Sequence, residues 1–137
     1  MLTMEWGEVE PVLIAWVREW LDLLAGGRLE DACGRLDEPN SYGLRWTPAA
    51  LTDLVEDTFG PGTRFRVEHP EGPRFSPVAT ALGRRPPMIG AYKDGSGFWV
   101  DHHVPLNGEY SDLTAQFKFL WRGNHVLAVI LHDLHVL

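Results

Sequence analysis

The chain has a single cysteine, Cys33, in 137 residues, so no internal disulfide can form and the fold must rest on packing alone. No apolar run approaches the ~18 residues of a membrane span. No charged-then-apolar leader precedes the first helical pattern, so the expectation is a cytoplasmic protein with no membrane attachment. Bases are also scarce, 12 Lys and Arg against 19 Asp and Glu, for a net charge of −7. Residues 1–60 carry 12 acids and 4 bases, whereas residues 61–137 carry 7 and 8, so the first part of the chain is the acidic one. Nucleic acid, which demands a contiguous basic face, is therefore not an expected partner. Arg64, Arg66, Arg74, Arg84 and Arg85 are the only basic concentration, and they read as solvated loop arginines or as an anion site. A phosphate loop is missing too, because Asp94-Gly-Ser-Gly97 sits between strand-like runs and opens no helix.

What remains is enough for one domain, residues 1–137, able to bury about two thirds of its unfolded surface without a cofactor or staple. Trp6, Val9, Leu13, Trp16, Trp20 and Leu24 recur at helical steps, with Ile14, Val17 and Leu21 beside them. That predicts a helix from about Val9 to Ala25, stopped by Gly26-Gly27. Leu29, Ala32, Cys33 and Leu36 suggest a short second helix, and Thr47-Pro48 starts a third that ends at Gly60-Pro61-Gly62. Arg64–His69 alternates like a strand, and residues 70–87, with five prolines, read as a long irregular segment.

Four apolar runs follow, Met88–Lys93, Phe98–Leu106, Ser111–Arg122 and Val126–Val136, and they predict an antiparallel meander. Asn107-Gly108 suits a type I′ turn, and Gly123-Asn124 suits a two-residue II′ turn. Counting from these turns pairs His103 with Asp112, Asp101 with Thr114, Phe117 with Ile130 and Ala115 with His132. Period-two alternation then sends Phe98, Val100, His102, Val104, Phe117, Phe119, Trp121, Ala128, Ile130 and His132 inward. Trp99, Asp101, His103, Asp112, Thr114, Leu120, Leu127, Val129, Leu131, Asp133 and His135 would face outward.

Helices, strand, long loop and curled meander give an α+β layout of three N-terminal helices packed on a curved antiparallel sheet. With the Trp121-Arg-Gly-Asn-His-Val-Leu-Ala-Val-Ile-Leu-His132 hairpin, this layout resembles the NTF2-like (SnoaL-like) superfamily of cystatin-like cones. The stretch Trp99-Val-Asp-His-His-Val-Pro-Leu-Asn-Gly-Glu-Tyr-Ser-Asp-Leu-Thr114 and the ending Leu131-His-Asp-Leu-His-Val-Leu137 also resemble a bacterial domain family of uncharacterised function. The superfamily resemblance implies a cone pocket, and its proton-moving enzymes resemble ketosteroid isomerase, which needs an inward carboxylate base. Here the sheet aspartates are expected to point outward, so an isomerase-, cyclase- or hydratase-type enzyme would have to use His102 or His132 as base, with Tyr42 or Tyr92 as donor and Trp121 in the pocket.

The outer face offers other readings. Asp101, His103, Asp112, Thr114, Asp133 and His135 are expected as two neighbouring rows, which form either a cross-strand charge ladder or a zinc or iron site. Flat rows seldom converge on one ion, so no metal and no cofactor are expected. Trp99, Leu120, Leu127, Val129 and Leu131 form an apolar outer patch suited to a homodimer. The function these features favour is a non-enzymatic binding or interaction module, of which a toxin-neutralising immunity protein is one kind, for a small molecule or a protein partner. A small-molecule enzyme is the alternative.

Overall fold

A computed structural model of the chain describes residues 1–5 and 7–137; Trp6, placed in the first helical stripe by its spacing, lies outside them. The element order is β1 (Leu2–Thr3), α1 (Val9–Ala25), α2 (Leu29–Gly34), α3 (Pro48–Thr58), α4 (Arg64–Glu68), β2 (Met88–Ala91), β3 (Gly97–Leu106), β4 (Glu109–Trp121) and β5 (Val126–Val136). The strands form one antiparallel sheet in the order β1-β5-β4-β3-β2, curled into a half-barrel, an α+β architecture of cone-like shape.

The helices form where the sequence places them, with one addition. Thr47 caps α3 by accepting from Ala50 N–H, and Pro48 takes the first helical position, where its missing N–H costs nothing. Arg64–His69, expected as a strand, is instead the short helix α4 and its cap. Thr63 accepts from Arg66 N–H, Arg64 pairs with Glu68 at 3.1 Å, and Phe65 stacks on His69 at 4.6 Å, so its alternation was really an i,i+4 pattern one turn long.

Helix α1 supplies the floor of the core, with Leu13, Val17, Trp20, Leu21 and Leu24 buried against Val100, Phe117, Phe119, Leu127, Val129 and Leu131. Trp20 meets Phe117 edge-on at 5.1 Å and donates its indole N–H to Ala32 O at 2.8 Å, which satisfies the one polar group of a fully buried ring. Trp16 lies edge-on to both Phe117 and Phe119.

The sheet register departs from the simple count in two places. At the β3–β4 tip Asn107 and Gly108 both have positive φ, as a type I′ turn requires, and Leu106 pairs with Glu109. A bulge beyond Pro105 then slides β4 by two residues, so that His103 opposes Thr114 and Asp101 opposes Gln116. Ser111 stitches this bulge: its hydroxyl donates to Val104 O and accepts from Leu113 N–H, and its carbonyl lies 2.9 Å from His103 Nδ1.

The β4–β5 loop has three residues, Gly123 to His125, closed by Arg122 N–H donating to Val126 O, with His125 at φ +61. The extra residue reverses the faces of the first part of β5. Leu127 now opposes Trp121, Val129 opposes Phe119 and Leu131 opposes Phe117, so these three, expected outside, are core residues no more than 1 % exposed. Ala128 and Ile130, expected inside, face outward beside Leu120 and Lys118. A second bulge, between the Phe117–Leu131 and Gln116–Asp133 pairs, holds His132 and restores the alternation, so that Thr114 opposes His135 and Ala115 opposes Leu134.

The edge of β5 beyond β1 is met by the α2–α3 connection. Asp37 donates its N–H to Val129 O and accepts from Val129 N–H, Asn40 Nδ2 donates to His132 O, and Trp46 Nε1 donates to Leu131 O. These bonds satisfy groups that an open sheet edge would leave free.

Candidate functional site

The outward face of the sheet gathers the chemistry. Rows run across three strands, His103–Thr114–His135 and Asp101–Gln116–Asp133, because the β3–β4 bulge displaces β4 by two residues relative to β3, and the three-residue loop and the one-residue β5 bulge together displace it by two relative to β5. The row partners on β3 and β5 are those expected from the sequence, but the central residues are Thr114 and Gln116, where Asp112 and Thr114 were expected. Asp112 is displaced into the bulge, where it is exposed and pairs with Arg85 at 2.8 Å. The His103–Asp112–His135 ladder therefore does not form.

His132 also moves. Its place in the β5 bulge turns it outward, against the inward assignment, where it stacks with the exposed Tyr42 at 6.0 Å and 24° from parallel. The Tyr42 ring is positioned by Asn40, whose Oδ1 accepts from the N–H groups of Tyr42 and Leu44 while its Nδ2 is anchored on His132 O.

Around this point lies a cavity of about 280 Å³ lined by Tyr92, Trp99, Asp101, Gln116, Lys118 and His132, with Phe117 at its base. Trp99 forms a wall because its indole lies over Gly90 on β2, where a Cβ would stand 2.6 Å from the ring. Gly90 is thus a packing requirement read from a neighbouring strand.

The electrostatics are unusual for a surface. Burial lifts the Asp101 carboxyl above the ordinary carboxylate value, outweighing the Gln116 side chain across from it and the nearby His135, His103 and His132. Burial, with Lys118 nearby, pushes His132 below its ordinary value, and burial lifts Tyr92. Asp101 and His132 are both held toward their neutral forms in one cavity, which is a mark of functional sites. A carboxyl raised in the folded state, as at Asp101, favours folding most when protonated, so its contribution falls as pH rises through the raised value. Asp101→Asn is expected to raise stability at pH 7 by a fraction of a kcal/mol, up to about 1 for a group still in contact with solvent. The apparent melting temperature against pH checks this, with the gain vanishing in acid.

The inward candidates are differently placed. His102 is 0 % exposed, with Nδ1 2.8 Å from His103 O and Nε2 accepting from Arg18 Nε at 3.4 Å. A carbonyl can only accept, so Nδ1 carries the proton and both ring nitrogens are occupied. Trp121 lies on the inner face, edge-on to Phe98 at 5.9 Å. The structure brings Tyr42, Tyr92 and His132 together outside and leaves His102 and Trp121 within.

Among the described residues no three His, Cys, Asp or Glu side chains are disposed to share a metal ion, and no helix is long and apolar enough to cross a membrane. Of the expected dimer patch, Trp99 and Leu120 remain on the outer face, while Leu127, Val129 and Leu131 belong to the core. Sequence reasoning did not single out Gln116, Lys118 or Gly90 as site residues; once the β4 slide is known, the first two follow from period-two alternation. Compared with family models, with curated proteins and with solved structures, the chain matches none.

Proposed function

We propose that this chain is a binding module of the NTF2-like cone type that takes a small molecule or a protein partner on the outward face of its sheet. The observation that carries the reading is the contrast between the two faces. Inside, Leu13, Val17, Trp20, Val100, Phe117, Phe119, Leu127, Val129 and Leu131 fill the curl, and the single inward histidine has both nitrogens engaged. Outside, a rigid sheet presents aromatic rings, a carboxylate, an amide and an imidazole around one cavity. Such a mixture of apolar wall and few convergent polar groups is how binding sites combine affinity with orientation. An enzymatic use of the interior would first have to release His102 from Arg18 and His103.

A fragment set titrated into isotope-labelled protein tests the reading. Backbone and side-chain shifts are expected to cluster on Tyr92, Trp99, Asp101, Gln116 and His132. Shifts centred on His102, Val100 and Phe119 would instead return the interior, and the enzyme alternative, to first place.

A further inference from the structure

The outer cavity holds one carboxylate with few donors turned toward it. Asp101 can accept up to about four hydrogen bonds, yet the donor that faces it is the Gln116 side chain. Of the neighbouring groups, His103 Nδ1 is bonded to Ser111 O, and Lys118, which also lines the cavity, reaches Ser41 Oγ with Nζ at 3.3 Å. His132, which lines the same cavity, has a buried Nδ1 with no hydrogen-bond partner among the described residues. The Asp101 carboxylate and the His132 ring thus border one space, walled by Trp99 and Tyr92.

A flat, donor-rich cation suits that arrangement. A guanidinium offers five N–H groups in a rigid fork, pairs with both oxygens of a carboxylate at once, and stacks on aromatic faces. An ammonium is a compact, strongly hydrated charge that lacks the planar fork and cannot stack as a guanidinium does. We propose that this cavity takes a guanidinium, the arginine side chain of a partner polypeptide, paired with Asp101 and lying against Trp99. His132 in its neutral form adds no charge that would repel the cation, which agrees with the lowering of its pKa by burial. The inference rests on the reading of the outer face as the binding surface and adds the chemistry of the partner.

The test titrates the labelled chain at pH 7.5 with the N-acetyl amides of arginine, lysine and citrulline, the last an uncharged near-copy of arginine. The arginine amide is expected to move the Trp99 indole N–H and the Gln116 side-chain amide along a saturable curve. Its affinity should exceed that of citrulline and lysine by at least about tenfold. Asp101→Asn, whose own stability is expected to be undiminished, should abolish the response, and His132→Ala should weaken it. Equal binding of citrulline, or binding that survives in Asp101→Asn, would overturn the guanidinium assignment while leaving the outer face as the binding surface. Shifts from every probe confined to the interior would overturn both.

Discussion

Gly97→Ala is expected to leave the chain more than about 3 kcal/mol less stable, or unable to fold. Gly97 enters β3 at φ +151, and a Cβ there would fall well inside van der Waals contact of Phe119 O, with Leu120 Cα 2.9 Å away. Both obstacles are backbone of β4, which cannot turn aside as a side chain can. The same short segment ties three strands together, since Tyr92 N–H donates to Gly97 O and Trp121 N–H donates to Ser96 O. Relief of the clash would therefore break the pairing that brings Trp99 and Asp101 to the outer cavity. Gly95→Ala, two residues away in the turn at φ +77 with open space around it, should cost only about 1–2 kcal/mol for its left-handed backbone. Denaturant unfolding of the two variants checks the contrast. Similar midpoints for both would mean that the β3–β4 approach is looser than described.

Val129→Asp is expected to cost about 3–5 kcal/mol, the scale of an uncompensated buried charge. Val129 is 1 % exposed, faces Phe119, and has its N–H and C=O taken by Asp37. Val136→Asp, on the same strand but 45 % exposed, should stay within about 0.5 kcal/mol of the parent. The pair reports directly on the three-residue loop at Gly123–His125, because a two-residue loop would put Val129 outside. A tolerated Val129→Asp would restore the apolar outer patch and the sheet-to-sheet dimer argued from it.

The helices were legible because their signals are local. The stripe from Val9 through Leu24, the Gly26-Gly27 stop and the Thr47-Pro48 start each act within a turn or two of chain. The Asn107-Gly108 turn was legible for the same reason. Register was not, since it accumulates along a strand and a single inserted residue reverses it. Pro105 was the signal for the first bulge: lacking an N–H, it cannot continue a ladder, and the slide begins beside it. The unbroken apolar run Val126–Leu131 offered no polar residue to mark its outward side, so the count rested on the turn alone. There Asn124-His125, both tolerant of left-handed backbone, allowed a loop one residue longer. Gln116 and Lys118 became site residues, and His132 an outward rather than an inward one, only through those shifts.

A closed interior with binding on the outer face requires His102 to stay neutral and in one tautomer. Its pKa is lowered, chiefly by burial and further by Arg18 and His103, despite the opposing hydrogen bond to His103 O. A histidine lowered in the folded state is favoured neutral, so its contribution is complete above the ordinary value near 6.5 and is lost as pH falls below that. Arg18 from α1, His103 on β3 and the Tyr110 ring, 6.2 Å away on β4, are the groups that face it. Ring-nitrogen NMR across a pH titration is predicted to find His102 fixed with its proton on Nδ1 and neutral well below the point where a free histidine charges, untouched by ligands that move Trp99. A His102 ring that exchanges between tautomers and titrates near its ordinary value would contradict the closed interior.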